Sequence, residues 1–196
     1  MAPARQYADP YIEKTHYTEA EYFEFEQTAF GRWEYVNGEM RQLSSGSDDH
    51  SMIAANVGRA LGNVLVPRGD RVYVSNMKVH AGGVNTFPDV AAVVGPRFYY
   101  RGKTDIITNP ALVVEVLSPF SKDYDRSEKF DCYWAIEALT DYLLVEQHKA
   151  RVLLYTRRQD HWDSREVQGL DGAIHLPSVS VTLALADVYA LIEFGG

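Results

Sequence analysis

The chain has 196 residues, of which 46% are hydrophobic and 23% are charged, an ordinary composition for a globular protein with one core. No apolar run approaches the roughly 20 residues that a transmembrane helix needs, and no basic stretch precedes an apolar one near the start, so we expect neither a membrane span nor a signal peptide. The net charge of −8 argues against broad, charge-driven binding of nucleic acid. It leaves room for an acidic metal site, because a bound divalent cation reverses the local field.

The cysteine content also limits the possibilities. A single cysteine, Cys132, excludes an internal disulfide and a cysteine cluster for zinc. It lies in the apolar helical pattern Phe130–Ala135, which favours a buried structural thiol over a nucleophile. We therefore expect a reducing, cytoplasmic location. Without repeats or linkers, the chain divides into an N-terminal arm (1–16) and one domain (17–196).

The chain opens with a helix and a hairpin. Thr18 and Glu21 form a capping box, which predicts a short helix over Glu19–Gln27. Asn37-Gly38 is a strong signal for a tight turn between two strands. The strands on either side of it are predicted over Trp33–Val36 and Glu39–Leu43.

Apolar side chains then recur at helical spacing, which predicts a long helix over His50–Val66. Ser47, Asp48 or Asp49 is placed to cap its start. Further strands are predicted over Arg71–Val79, Thr86–Val94, Ala111–Leu117, Asp141–Glu146, Arg151–Arg157 and Trp162–Val167, with a turn at Gly82-Gly83. Two more helices are predicted over Asp125–Leu139 and Ala184–Glu193. This order indicates an α/β (mixed α+β) fold with a central mixed sheet flanked by helices.

Three acidic residues are candidates for chemistry: Glu34, Asp89 and Glu115. Glu115 is the lone charge in Ala111–Leu117, the most apolar strand, where a carboxylate is costly unless it is paired or binds a metal. Two carboxylates on adjacent strands suit Mg²⁺ or Mn²⁺, with the carbonyl of Val116 as a further ligand. Such an ion activates water and polarises a phosphate, and a nearby lysine would offset the charge that builds up on phosphorus.

The segment Phe87-Pro88-Asp89-Val90, followed by Val113–Pro119, resembles the Uma family of restriction endonucleases, within the PD-(D/E)XK superfamily. The resemblance continues through Asp125, Lys129, Tyr133 and Asp141–Val145, takes in Trp33–Glu39 and His50 upstream, and covers about residues 17–192. It implies a restriction-endonuclease-like core in which Asp89 and Glu115 bind a divalent metal and Glu34 lines the same site. It also implies a DNA substrate and a homodimer, since nucleases of this fold often pair to cut both strands.

One position departs from the superfamily pattern. Leu117 stands two residues after Glu115, where the catalytic lysine would normally be. Lys129, 14 positions after Glu115, is the candidate replacement from the following helix, and Lys122 on the loop before it is the second choice. His50 is a further candidate, as a phosphate contact, a proton shuttle or a support of the site.

Each candidate also has a purely structural explanation. Glu115 could reach solvent or pair with Lys129, Glu34 could be an exposed hairpin residue, and Lys129 could be a solvated helix lysine. His50 could be a helix-start residue without a role. The histidines without metal-ligand spacing are expected at the surface, and these are His148, His161 and His175.

A second surface feature is Phe98-Tyr99-Tyr100, flanked by Arg97 and Arg101. Aromatic residues between arginines can stack on bases or clamp phosphates, although a segment packed on the core or on a partner would look the same. The leading hypothesis is a metal-dependent endonuclease acting on DNA. The alternatives are a catalytically inactive binding protein on the same fold and a metal-dependent hydrolase of a small phosphoester.

Overall fold

The structure is a computed structural model that describes residues 14–118 and 128–194. The helices are α1 (Glu19–Glu26), α2 (Asp48–Leu65), α3 (Glu128–Trp134) and α4 (Leu185–Val188). The first strands are β1 (Trp33–Val36), β2 (Glu39–Gln42), β3 (Arg71–Val74), β4 (Lys78–Ala81), β5 (Val84–Thr86), β6 (Val90–Val93) and β7 (Ile106–Ile107). The later strands are β8 (Leu112–Leu117), β9 (Asp141–Glu146), β10 (Arg151–Arg157), β11 (Trp162–Gln168), β12 (Ala173–Leu176) and β13 (Val181–Ala184). Single 3-10 turns lie at Val66–Arg68 and Tyr100–Gly102.

These strands form two main sheets and a separate hairpin. One sheet has the order β2-β1-β5-β4-β7, the other has the order β11-β10-β9-β8-β6-β3, and β12 pairs with β13. The pairs β4–β7 and β8–β9 are parallel, and the other strand pairs in the described residues are antiparallel. Mixed sheets with flanking helices confirm the predicted fold class.

Strand β8 lies inside the larger sheet and is buried on both faces, as its apolar sequence predicts. Successive side chains of a strand point to opposite faces. On one face, Leu112, Val114 and Val116 pack in the core beneath α2. On the other face, Val113 and Leu117 pack in the core beneath α3. Glu115 shares the face of Val113 and Leu117, so the strand directs this carboxylate towards α3.

Most of the regular elements agree with the sequence. Helix α1 carries the predicted capping box, with the backbone N–H of Glu21 donating to Thr18 Oγ1 at 3.3 Å. Helix α2 begins two residues earlier than predicted, because Ser47 is its N-cap and accepts from the backbone N–H of His50 at 3.2 Å. The hairpin strands β1 and β2, the buried β8 and the meander of β9, β10 and β11 lie where they were predicted.

Two predicted strands, Arg71–Val79 and Thr86–Val94, were wrong in their extent. Each is divided between the two main sheets, into β3 and β4 and into β5 and β6. The first breaks at Ser75, which adopts a positive φ of 60°. The second breaks at Phe87-Pro88-Asp89, because proline has no N–H to donate to a sheet. The chain therefore crosses from one main sheet to the other within each of these predicted strands.

Two predicted helices end earlier than expected. Helix α3 ends at Trp134, not Leu139, and the guanidinium of Arg157 binds the carbonyl groups of this end. Helix α4 covers only Leu185–Val188, because Ala184 belongs to β13 and the amide of Asn56 binds the carbonyls of Val188 and Ala190. At the C-terminal end of each of these two helices, hydrogen bonds from distant side chains therefore replace the helical ones.

The hairpin of β12 and β13 was missed by the sequence analysis. Residues 1–13 of the predicted arm and residues 125–127 of the predicted helix lie outside the described residues, so the division into an arm and one domain stays a prediction. Among the described helices, none combines the length and the apolar composition needed to cross a membrane.

Candidate functional site

A cavity of about 610 Å³ opens where the chain crosses between the two main sheets. Strand β8, the start of α2, the crossing segments and α3 contribute to its wall. The lining residues are Arg32, Leu43, Ser44, Ser45, Gly46, Ser47, His50, Ser51, Ser75, Phe87, Asp89, Glu115, Val116, Ser118, Lys129, Gln147 and His148. Five of the six predicted site residues, all but Glu34, therefore line one cavity.

Asp89, directly before β6, lies beside Glu115 of the neighbouring strand β8. Val90 of β6 pairs with Val114 of β8, and the same antiparallel register brings Asp89 opposite Glu115. The Oδ2 atom of Asp89 accepts a hydrogen bond from the N–H of Val116 at 2.8 Å, and the N–H of Asp89 lies 3.4 Å from Glu115 Oε2. The two carboxylates therefore lie close together, as expected, and their role as metal ligands stays a prediction.

Lys129 enters this acidic cluster from α3. Its Nζ lies 2.9 Å from Glu115 Oε1 and 3.5 Å from Glu34 Oε1, and the lysine is only 4% exposed. The alternative of a solvated helix lysine is therefore wrong. The ammonium group is buried between two carboxylates. The attraction between these opposite charges offsets the cost of removing them from water.

Glu34 is 1% exposed, so the alternative of an exposed hairpin residue is wrong as well. It lies on β1, which pairs with β2 along one edge and with β5 along the other. Its Oε1 accepts from the N–H of Phe87 at 2.8 Å, at the crossing that precedes Asp89. Glu34 thus contacts both Lys129 and the segment that presents Asp89.

His50 lies in the first turn of α2, and its Nε2 is 3.2 Å from Asp89 Oδ2. Its ring packs closely over Gly46, where a Cβ atom would stand 2.7 Å from Nδ1. The glycine therefore leaves the space that the imidazole occupies. The imidazole of His50 therefore has a ring nitrogen within hydrogen-bonding reach of Asp89.

The donor set suits Mg²⁺ or Mn²⁺, which prefer oxygen ligands and are often held by one or two carboxylates, with waters and phosphate completing the shell. Asp89 and Glu115 supply two carboxylates at the cavity wall, and Val116 lines it beside them. Within the described ranges, no three His, Cys, Asp or Glu side chains cluster as a metal site. The arrangement therefore fits an open site with few protein ligands and does not fit a closed structural zinc site.

Sequence reasoning gave no role to two other contacts of the site. The phenol of Tyr133 donates to Glu115 Oε1 at 3.0 Å and lies 2.9 Å from Thr86 Oγ1. Burial, with the charge of Glu115 second, raises the pKa of Tyr133 well above its ordinary value. Gln147 donates to Ser47 Oγ at 2.7 Å and joins the end of β9 to the start of α2. The four-residue spacing of Lys129 and Tyr133, which places both on one helix face, was the available signal for the phenol.

Other predicted features lie elsewhere or have simpler explanations. Tyr100 stacks on His80 with ring centroids 3.7 Å apart and donates to Glu19 at 2.6 Å, so this part of the aromatic segment packs on the protein. Phe98 remains 61% exposed, and none of the segment lines the cavity. His148, His161 and His175 are exposed as predicted, although His148 also borders the cavity. Cys132 is half-buried and not fully buried. Lys122 lies outside the described residues.

A model of the Uma2 family, described as "Putative restriction endonuclease", matches residues 19–186, most of the chain. The chain belongs to the Uma2 family. The resemblance inferred from the acidic motifs is thereby confirmed. The match spans all six predicted site residues, from Glu34 to Lys129.

This Uma2 protein is also similar to individual proteins along most of its length. It is 32% identical over 177 residues to "Uncharacterized protein slr1290" of Synechocystis sp., covering 89% of this chain and 92% of that protein. A second Synechocystis protein, "Uncharacterized protein sll1609", is 28% identical over 167 residues, covering 84% of this chain and 94% of that protein. A crystal structure from Anabaena variabilis, described as "a putative nuclease belonging to DUF820", superposes with a TM-score of 0.69 at 18% identity, covering 85% of this chain and 96% of that chain. That likeness establishes the fold.

Proposed function

We propose that this Uma2 protein is a divalent-metal-dependent endonuclease that hydrolyses phosphodiester bonds in DNA. The observation that carries the proposal is the juxtaposition of Asp89 and Glu115, with Lys129 Nζ 2.9 Å from Glu115, at the wall of one cavity. Acidic groups outnumber the basic group in this cluster, and a divalent cation would offset the cost of keeping them close together.

Asp89, Glu115 and the carbonyl of Val116 would hold Mg²⁺ or Mn²⁺. When bound, such an ion polarises a phosphate and lowers the pKa of its water. Lys129 holds the Glu115 carboxylate in place and reduces the negative potential that a phosphate meets on entering the cavity. His50, paired with Asp89, is the residue placed to take up or release a proton there.

The same proposal extends to the setting of the enzyme. The chain carries a net charge of −8, so we assign the recognition of DNA to contacts close to the cavity, where Arg32 is one of the lining residues. We further propose that the enzyme works in the cytoplasm as a homodimer, because two sites related by symmetry can cut the two strands of a duplex.

The test is cleavage of double-stranded DNA, single-stranded DNA and RNA by purified protein with Mn²⁺ or Mg²⁺. We expect DNA cleavage that requires the metal and is lost in Asp89→Ala and Glu115→Ala. Glu24→Ala is the matched control, since Glu24 is an exposed carboxylate on α1. Metal-dependent cleavage that survives both site substitutions would contradict the assignment of these residues.

A second candidate function, hydrolysis of a small phosphodiester, is favoured by the recessed position of the site. Glu115 is 3% exposed and Lys129 is 4% exposed, so a flat duplex backbone would have to reach into the cavity. This enzyme would hydrolyse a nitrophenyl phosphodiester with Mn²⁺ and leave plasmid and oligonucleotide DNA intact. If the protein shows neither of these activities in the presence of metal, a binding protein on the same fold is favoured.

A further inference from the structure

The face of α3 that meets the sheet carries two buried polar side chains, one helical turn apart. Tyr133 is 1% exposed and Lys129 is 4% exposed. Both reach the same atom, Glu115 Oε1, at 3.0 Å and 2.9 Å respectively. A single carboxylate oxygen is therefore held from two directions by one helix.

The hydrogen bonds around the phenol have a defined direction. An ionised carboxylate only accepts, so the single proton of Tyr133 is directed at Glu115. The contact between Thr86 Oγ1 and the phenol, at 2.9 Å, then requires the threonine to donate. The chain of donors runs from Thr86 on β5, through Tyr133, to Glu115 on β8, and hydrogen bonds in such a chain reinforce one another.

We propose that Tyr133 is a positioning residue that fixes the rotation of the Glu115 carboxylate, so that Oε1 faces α3 and Oε2 lies on the Asp89 side of the cavity. The N–H of Asp89 lies 3.4 Å from Oε2, which places this oxygen beside the second acidic residue. The inference rests on the proposed function, because it assigns Oε2 to the metal. Thr86 acts through Tyr133, since its hydroxyl reaches the phenol.

The simpler explanation is that Tyr133 only fills the core. Its ring packs in the apolar cluster beneath α3 and lies 5.4 Å from the ring of Tyr142. Tyr133→Phe keeps this ring and removes only the hydroxyl, which separates the two roles. Tyr73→Phe is the matched control, because the Tyr73 hydroxyl is buried in the same region and has no hydrogen-bond partner within the described part of the chain.

The experiment is calorimetric titration of Mn²⁺ into each full-length protein, with thermal unfolding as the check of folding. We expect Tyr133→Phe to weaken Mn²⁺ binding roughly tenfold or more, the range seen when a group that orients a metal ligand is removed. Thr86→Val should weaken binding by a smaller factor. On the Tyr133→Phe background, Thr86→Val should have no further effect on Mn²⁺ affinity, because the series of hydrogen bonds from Thr86 to Glu115 is already interrupted.

The outcomes separate this inference from the proposed function. If the wild type binds Mn²⁺, Glu115→Ala does not, and Tyr133→Phe binds like the wild type, the positioning role is overturned and the metal site stands. If the wild type and Glu115→Ala both fail to bind Mn²⁺, the metal site falls, and the positioning role falls with it. Should Tyr133→Phe fail to fold, Thr86→Val decides, since it leaves the phenol ring in place; wild-type affinity there overturns the proposal.

Discussion

The side chain of Asp89 is bonded to the backbone of the neighbouring strand, where its Oδ2 accepts from the N–H of Val116 at 2.8 Å. That N–H belongs to the residue after Glu115, so the bond fixes the distance between the two acidic positions. Asp89 therefore has two separable properties, its negative charge and its ability to accept this hydrogen bond. Substitutions that remove one or both distinguish them.

We expect Asp89→Asn to keep the stability of the protein and lose its affinity for Mn²⁺. The amide oxygen can still accept from Val116, whereas the charge that attracts the cation is absent, so calorimetry should show a loss of more than about tenfold. Asp89→Ala also leaves the buried N–H without its acceptor and should cost about 1–3 kcal/mol in urea unfolding. Equal stability of the two variants would indicate that the hydrogen bond is not important for folding.

A second prediction concerns Gly46, which leaves space for the imidazole of His50. Its backbone does not require glycine, since Gly46 is not among the residues with positive φ. A Cβ atom would stand 2.7 Å from His50 Nδ1, and the ring must move to relieve this overlap. We expect Gly46→Ala to lower kcat/KM to the level of His50→Ala while changing stability by no more than about 0.5 kcal/mol.

The double variant and a control make this test specific. If Gly46 acts through His50, adding Gly46→Ala to His50→Ala should lower the rate no further. Gly62→Ala, on the helix that carries His50 and with nothing within 4 Å of the new Cβ, should retain full activity and gain roughly 1 kcal/mol of stability. A rate loss in Gly46→Ala that adds to that of His50→Ala would contradict the steric explanation.

The local elements of this fold were predictable because their signals are local. The Thr18–Glu21 capping box, the Asn37-Gly38 turn and the unbroken apolar run of β8 each specify an element within a few residues. The breaks at Ser75 and Pro88 were missed because alternation alone cannot tell which sheet a strand joins. The early end of α3 depends on Arg157, which is distant in sequence and becomes a neighbour only after folding.

The residues of the candidate site were predictable to different degrees for the same reason. Glu115 was identifiable because a charge in a strand buried on both faces needs a partner, and Asp89 was found through its motif. The burial of Glu34 could not be predicted, because no sequence pattern specifies that β5 pairs with β1. The contact of Tyr133 with Glu115 likewise depends on how α3 lies on the sheet, which helical spacing alone does not fix.

A third prediction tests which lysine serves the site. Lys129→Met removes the buried ammonium group from Glu115 and Glu34 and leaves two buried carboxylates without it. We expect it to abolish cleavage and to lower the free energy of unfolding by about 3–5 kcal/mol, the cost of breaking a buried ion pair. Lys122→Met, the comparison, should retain activity and stability. The reverse result would assign the role to Lys122.

The last prediction concerns Arg157, far from Lys129 in sequence, which holds the end of the helix that presents this lysine. Its guanidinium donates to the carbonyls of Trp134, Ile136 and Leu139 at 2.7–3.0 Å. We expect Arg157→Ala to cost about 2–3 kcal/mol in urea unfolding and to speed amide exchange in α3, since hydrogen bonds from a charged donor are lost. Arg158→Ala, whose ion pair with Asp163 is exposed, should change stability by no more than about 1 kcal/mol. Equal effects of the two substitutions would show that the hydrogen bonds of Arg157 do not hold the end of α3.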